Sequence, residues 1–256
     1  MSPAFLHYNP LVHAAAPNLT LLQRLPARLV ILFSLLAVFL LIYPVRTQFY
    51  RTSILLTFAA LTTVGVLALW KRPRWRVVPL VPVVLVAIFL LLPGRDANPA
   101  ALRRTYCWAL QRYEGTRYVW GGEGFCGVDC SGLLRAALVD AHVMESVRTF
   151  NPALARRAIW LWWTDSSAAD LARGERNGTV ALSAAAVLDD LDDSRLQPGD
   201  FAITADGIHA LAYLGGQTWI EADPFELRVL QLTPTTSSPW HVIKAIPCRW
   251  ECLTVR

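Results

Sequence analysis

Cys130 stands where a glycine-rich approach, Gly121, Gly122, Gly124 and Gly127, gives way to an apolar helical pattern, in the stretch YVWGGEGFCGVDCSGLLRAAL from Tyr118 to Leu138. The first turn of a helix presents unpaired backbone N–H groups and the positive end of its dipole, and both favour a thiolate over a thiol. A nucleophile is therefore expected at Cys130. The competing reading is a small buried hydrophobe, the usual state of a free cysteine. A nucleophilic sulfur needs a base, and His142, His209 and His241 are the candidates. His142 lies along the helix that Cys130 begins, about 18 Å away at about 1.5 Å per residue, and is out of reach. His209 opens the apolar run Ile208 to Leu214 after the turn Ala205 to Gly207, where its side chain can project toward a facing helix start. An imidazole base also needs its second nitrogen held. Glu221 lies on the following run, beyond Gly215 and Gly216, and becomes a cross-strand neighbour of His209 if Ile208 to Leu214 and Thr218 to Ala222 pair as a hairpin. Asp223 shares the face of Glu221 by strand alternation and is the other candidate.

The elements that must position these residues are legible in part. Leu133, Leu134, Ala137, Leu138 and Ala141 recur at helical spacing after Cys130, so the sulfur would be held by a helix docked into a core. Asn98 and Pro99 form a cap and first helical position, and Leu102, Tyr106, Ala109, Leu110 and Tyr113 share a face of a helix over Ala100 to Tyr113. Asn151 and Pro152 open another, with Ala155, Ala158, Ile159 and Trp162 at helical spacing, and the whole of Val143 to Ser194 reads as helical. Its tryptophans, Trp160, Trp162 and Trp163, would pack that helix onto the domain, or form a lid or a membrane-facing surface. Asp189, Asp190, Asp192 and Asp193 lack the glycine-bearing pattern of a calcium loop and read as a solvated surface. After Leu196 the pattern turns to short strand-like runs, Phe201 to Thr204, Ile208 to Leu214, Thr218 to Ala222, Leu227 to Leu232 and His241 to Ile246, separated by turn residues. Helices followed by an antiparallel sheet make an α+β domain.

The front of the chain is of another kind. With 54% hydrophobic residues and a mean hydropathy of +0.37 across 256 residues, the protein is too apolar for an ordinary soluble one. Leu29 to Val45, Thr52 to Trp70 and Val77 to Pro93 are nearly unbroken apolar runs, bounded by basic residues and lacking a polar face, and three transmembrane helices are expected at about 29–45, 52–70 and 77–93. Pro79 and Pro82 would kink the opening turn of the third. Eight of the 24 basic residues, and none of the 19 acidic ones, precede Gly94. The cluster Lys71, Arg72, Arg74 and Arg76 is expected on the cytoplasmic side. This gives a cytoplasmic segment over residues 1–28, three spans over 29–93, a link over 94–100, and a domain over 101–256 on the outer, periplasmic face of a multi-pass protein of the cytoplasmic membrane, in contact with membrane lipid. Positive charge that flanks apolar segments does not imply nucleic acid.

Four motifs in order, YVWGG with GVDCSGLLRAAL, LQPGDF, GIHALAYLGG and WIEADP, resemble the NlpC-type family of cysteine endopeptidases, papain-like enzymes that cut bacterial cell-wall peptides. The resemblance covers roughly residues 101 to 246. It implies a papain-like α+β domain with Cys130 as nucleophile, His209 as general base and Glu221 as third member, where many members carry histidine. Glu221 would hold the Nδ1–H of His209. The resemblance further implies that Tyr118, Asp129 and Ser131 line the pocket for the free amino end of a stem peptide, Asp129 being the counter-charge to the amine; its other role is to cap the Cys130 helix. The substrate would be a peptidoglycan stem peptide, cut between D-glutamate and the diamino acid, with no cofactor and no metal. The alternatives are a cysteine amidase or acyltransferase on another membrane-proximal substrate, and an inactive binding or scaffolding module. Two departures are the helical, Trp-rich insertion at about 143–195, a candidate lid, and the three spans in front.

Of the remaining cysteines, Cys107, Cys126, Cys248 and Cys252, disulfides are permitted on an outer face. Cys248 and Cys252 could bridge only through a turn, since four extended residues span about 13 Å against the 4.4 to 6.8 Å between bridged Cα atoms. His241, Cys248 and Cys252 match no familiar zinc spacing.

Overall fold

The computed structural model describes residues 19–174, 178–191, 193–233 and 238–254. Residues 1–18, most of the expected cytoplasmic segment, lie outside that range, as does Asp192 of the acidic run.

Helix α1 (Leu19–Ile42) and helix α2 (Gln48–Ala68) form an antiparallel hairpin joined by Tyr43–Thr47. Both are long and apolar enough to cross a membrane. Thr47 caps α2, its hydroxyl accepting the N–H of Tyr50. The large side chains Ile31, Leu32, Leu35, Phe39, Leu55 and Leu56 face outward, unlike those of a core helix. The third apolar run differs from expectation. A 3-10 turn at Val78–Leu80 leads into helix α3 (Val81–Leu91) of only 11 residues, about 16 Å long against a hydrocarbon layer of about 30 Å. The cause is its proline pair: Pro79 and Pro82 withhold the N–H groups on which a longer helix would be built. Among the described residues two helices are of spanning length, where three were expected.

Helix α4 (Pro99–Arg112) begins at the Asn98 cap, and its five predicted apolar residues are buried, with the hydroxyl of Tyr106 accepting the indole N–H of Trp250. Strands β1 (Glu123–Gly124) and β2 (Gly127–Val128) make a small hairpin immediately before helix α5 (Cys130–Thr149). The predicted face of α5, Leu133 to Ala141, is buried on the main sheet against Phe201, Ile203, Ala212 and Ile220. Helix α6 (Pro152–Trp163) packs on α5, and helix α7 (Ala168–Ala172) follows a Ser167 capping box.

The helical reading fails from about residue 178 onward. Strand β3 (Thr179–Ala181) and strand β4 (Ala186–Val187) both pair with the last strand. They were illegible because three and two residues are too short to show alternation. Strands β5 (Phe201–Thr204), β6 (Ala210–Gly215), β7 (Thr218–Asp223) and β8 (Arg228–Leu232) form an antiparallel meander, and β9 (Lys244–Trp250) inserts between β3 and β5, giving the order β3-β9-β5-β6-β7-β8. The last strand therefore starts at Lys244 and not at His241, because Pro239–Val242 is a 3-10 turn. The β6–β7 turn centres on Gly216 and Gln217, with φ of 56° and 61°. Positive φ at both central residues matches the twist of the flanking strands. Asp200, ahead of β5, is wholly buried and accepts two hydrogen bonds from Arg249, at 2.7 and 2.6 Å. All five cysteines are free thiols.

Candidate functional site

Cys130 is the first residue of α5 because Asp129 caps the helix. Asp129 Oδ1 accepts the N–H of Gly132 at 2.6 Å and the Ser131 hydroxyl at 3.1 Å, and Oδ2 accepts the N–H of Gly121 at 2.8 Å. One carboxylate thus ties the glycine turn to the first turn of the helix. Gly132 is required by proximity: a Cβ there would lie 2.0 Å from the carbonyl oxygen of Gly122.

His209 precedes β6 and is held by its backbone, its N–H donating to Thr204 Oγ1 at 2.9 Å and its carbonyl accepting from the N–H of Thr204 at 3.0 Å. In the β6–β7 register Leu211 pairs with Glu221, so Glu221 lies diagonally across the hairpin from His209. His209 Nε2 is hydrogen-bonded to Glu221 Oε2, and both side chains are buried. The nitrogen differs from expectation. Nε2 faces the carboxylate of the diagonal partner, which lies opposite Leu211, two residues further along the chain, and Nδ1 is left for another contact. Asp223, the other carboxylate candidate, instead accepts the N–H groups of Phe225 and Glu226 at the β7–β8 turn.

The Cys130 thiol donates to the carbonyl of Ile208 at 3.7 Å, which sets the sulfur against the residue preceding His209. Its electrostatics also depart from expectation. Burial, aided by the charge of Asp129, pushes the thiol up to about 12, and the backbone N–H groups at the helix start offset this only partly. Burial pulls His209 down to about 4, against the nearby charges of Asp223, Asp129 and Asp206. Desolvation outweighs the helix terminus at Cys130, and at both groups burial favours the uncharged form.

A cavity of about 630 Å³ opens over Cys130 and is lined by Tyr118, Asp129 and Ser131, the three residues expected to bind substrate. Tyr118 is fixed by its N–H to the carbonyl of Leu227 at 2.8 Å, and burial pushes its hydroxyl up to about 12. Two parts of the wall were missed. Arg46 and Thr47 come from the α1–α2 connector, and Asp165 to Asp170 come from the segment after α6. Among the described residues no tryptophan of α6 lines this cavity; Trp162 faces Val86, Phe89 and Leu90 of α3 instead. The insertion thus contributes short polar side chains to the pocket, not an aromatic lid. Trp240 was also missed. It stacks on the His209 ring with centroids 3.8 Å apart and planes 14° from parallel. A tryptophan beyond a Thr/Ser/Pro-rich segment carries no local signal of such a contact.

A cysteine at a helix start, set against the residue that precedes a buried histidine–carboxylate pair, brings together the side-chain types that nucleophilic thiol chemistry uses. The chain belongs to the NlpC/P60 family, which it matches over residues 115–243. No curated protein matches it. Among solved structures it is similar to an NlpC/P60 family protein from Bacillus cereus ATCC 10987, at 19% identity and a TM-score of 0.37, covering 60% of this chain and 40% of that one. NlpC2 from Trichomonas vaginalis is similar at 18% identity and a TM-score of 0.37, covering 63% and 50%. The NlpC/p60 domain of the peptidoglycan hydrolase SagA is similar at 20% identity and a TM-score of 0.33, covering 59% and 98%. The chain thus spans half or less of the length of the first two.

Proposed function

We propose that this protein is a membrane-anchored cysteine peptidase that hydrolyses an amide of peptidoglycan stem peptides, between D-glutamate and the diamino acid. The observation that carries the reading is the Cys130 thiol set against the carbonyl of Ile208, the residue before His209, whose Nε2 is bonded to Glu221. In this mechanism His209 Nδ1 takes the thiol proton as Sγ attacks the carbonyl carbon, so that charge develops only with substrate in place. Glu221 holds the Nε2–H and stabilises the imidazolium. Backbone N–H groups at the start of α5 face the developing oxyanion. His209 then returns the proton to the leaving amine, and water, activated by the same imidazole, releases the acyl group from sulfur. Asp129 and Tyr118, in the same cavity, receive the free amino end of the peptide, with Ser131 beside them.

Anchoring rests on α1 and α2, whose apolar side chains face outward. Their connector lies against the domain, so the cluster from Lys71 to Arg76 lies toward the opposite end of α2. By the excess of positive charge on cytoplasmic loops, the domain faces outward, toward the wall, and the apolar run from Val77 to Pro93, with the short α3 inside it, carries the chain back to that side. The experiment is to incubate the full chain in detergent with purified stem peptides and identify products by mass spectrometry. Release of the diamino-acid fragment is expected; intact peptide, or hydrolysis that survives in Cys130→Ala, overturns the assignment.

A further inference from the structure

A charged side chain in an apolar helix of spanning length is costly unless it is paired, and its partner points to its purpose. Arg51, in the first turn of α2, is wholly buried. Its Nη2 lies 2.8 Å from Glu123 Oε2 and 3.8 Å from Asp165 Oδ1, and its Nη1 donates to the carbonyl of Trp163 at 3.5 Å. The same two carboxylates take Arg135 of α5, which bonds Glu123 Oε1 and reaches Asp165 Oδ1 at 3.1 Å. Two arginines from two helices therefore share two carboxylates, one of them at the start of β1.

This cluster continues into the site by short steps. Glu123 pairs with Val128 in the β1–β2 hairpin, directly before Asp129. Its N–H donates to the carbonyl of Pro44 at 3.0 Å, Val45 bridges to Gly122, and the N–H of Arg46 donates to the carbonyl of Gly121 at 3.0 Å. Gly121 and Gly122 are the residues that hold Asp129, whose N–H donates to the carbonyl of Gly122 at 3.1 Å. Arg46 and Thr47 then form one wall of the Cys130 cavity.

We infer that Arg51 is a positioning residue of the active site, acting through Glu123 and Arg135 on the Gly121–Gly122 turn and the first turn of α5, so that the α1–α2 hairpin is part of the catalytic unit. The inference rests on Cys130 being the nucleophile. A domain beginning after α3 would lack Arg51, leave Glu123 to Arg135 alone, and lose one wall of the cavity.

The test uses the full chain in detergent, with Arg51→Met, Glu123→Gln and their double variant, each rate taken per folded molecule in the monodisperse fraction. Two readouts are followed: stem-peptide hydrolysis, and alkylation of the Cys130-containing peptide by iodoacetamide, read by mass spectrometry across pH. Loosening the turn admits water to a buried thiol, so hydrolysis should slow by about tenfold or more through kcat, with KM within about twofold. Alkylation at pH 8 should become faster, its apparent pKa falling toward that of an ordinary thiol. Because both substitutions act on one contact, the double variant should be no worse than the worse single one. Arg51→Lys should lie between wild type and Arg51→Met. Wild-type rates in the Arg51 variant, or effects that multiply in the double variant, would overturn the inference. Should Arg51→Met not fold, Arg51→Lys and Glu123→Gln carry the same comparison. If the wild-type protein cleaves no stem peptide, the proposed substrate fails, while the alkylation profile still decides the role of Arg51.

Discussion

His209 and Glu221 are diagonal partners across the β6–β7 hairpin, and the imidazole reaches its carboxylate through Nε2. That single contact orders the site. It orients the ring and, in the proposed mechanism, leaves Nδ1 for the proton of Cys130 and places a carboxylate where an imidazolium would form.

Glu221→Gln tests the charge separately from the shape. The amide fills the same space but cannot stabilise an imidazolium, and the expected result is a fall in kcat of about 100-fold with little change in thermal midpoint. Steady-state hydrolysis together with a melting curve checks it; a kcat within about threefold of wild type would remove Glu221 from the mechanism.

Trp240 packs flat on His209. Replacing it with leucine keeps an apolar neighbour but frees the ring to turn, so kcat should drop by about tenfold. Stability should fall by roughly 2 kcal/mol or more, since a large buried side chain is cut back. Denaturant unfolding and kinetics on the same preparation separate the two effects.

Gly132→Ala reverses an ordinary expectation. Inside a helix, alanine is favoured over glycine by about 1 kcal/mol. Here the added methyl would meet the carbonyl of Gly122 at 2.0 Å and Asp129 Oδ1 at 3.0 Å. The backbone neighbour cannot give way without moving the turn, so the variant should be destabilised by about 2 kcal/mol or more and lose activity. Equal or higher stability in chemical denaturation would contradict this close approach.

Acid should weaken the fold in a defined window. Burial holds His209 and His142 down at about 4, against 6.5 for free imidazole. Between those values the unfolded chain binds more protons than the folded one, so the contribution is complete above pH 6.5 and is lost as pH falls toward 4. His142 accounts for on the order of 3 kcal/mol, and His209 for less, because the Glu221 carboxylate bonded to it opposes the effect of burial. Melting temperatures should fall steadily from pH 7 to pH 4.5, less steeply in His142→Leu; a flat profile would show that these imidazoles are not buried neutral.

Much of the site was legible because its chemistry is local. Cys130 is marked by glycines before it and periodic apolar residues after it, and the five apolar residues of α5 picked out by spacing, Leu133, Leu134, Ala137, Leu138 and Ala141, are all buried. His209 and Glu221 were within reach because one tight turn fixes their register. What failed depends on contacts distant in sequence. Arg51 reads as a charge bounding an apolar run, and only the docking of the α1–α2 connector turns it into the partner of Glu123, 72 residues away. The thiolate expected at a helix start gave way to burial, which no local pattern reports. Strands β3 and β4 exist because β9 offers them an edge, and the third apolar run stops short because two prolines outweigh its hydropathy.

The most direct test of the central claim is capture of the acyl-enzyme. The full chain is mixed with stem peptide, quenched in acid within one turnover and digested, and the peptide containing Cys130 is weighed. A thioester carrying the D-glutamyl portion on Cys130, released by hydroxylamine and missing from Cys130→Ser, is the predicted result. Turnover with Cys130 unmodified, or products formed at the wild-type rate by Cys130→Ala, would contradict it.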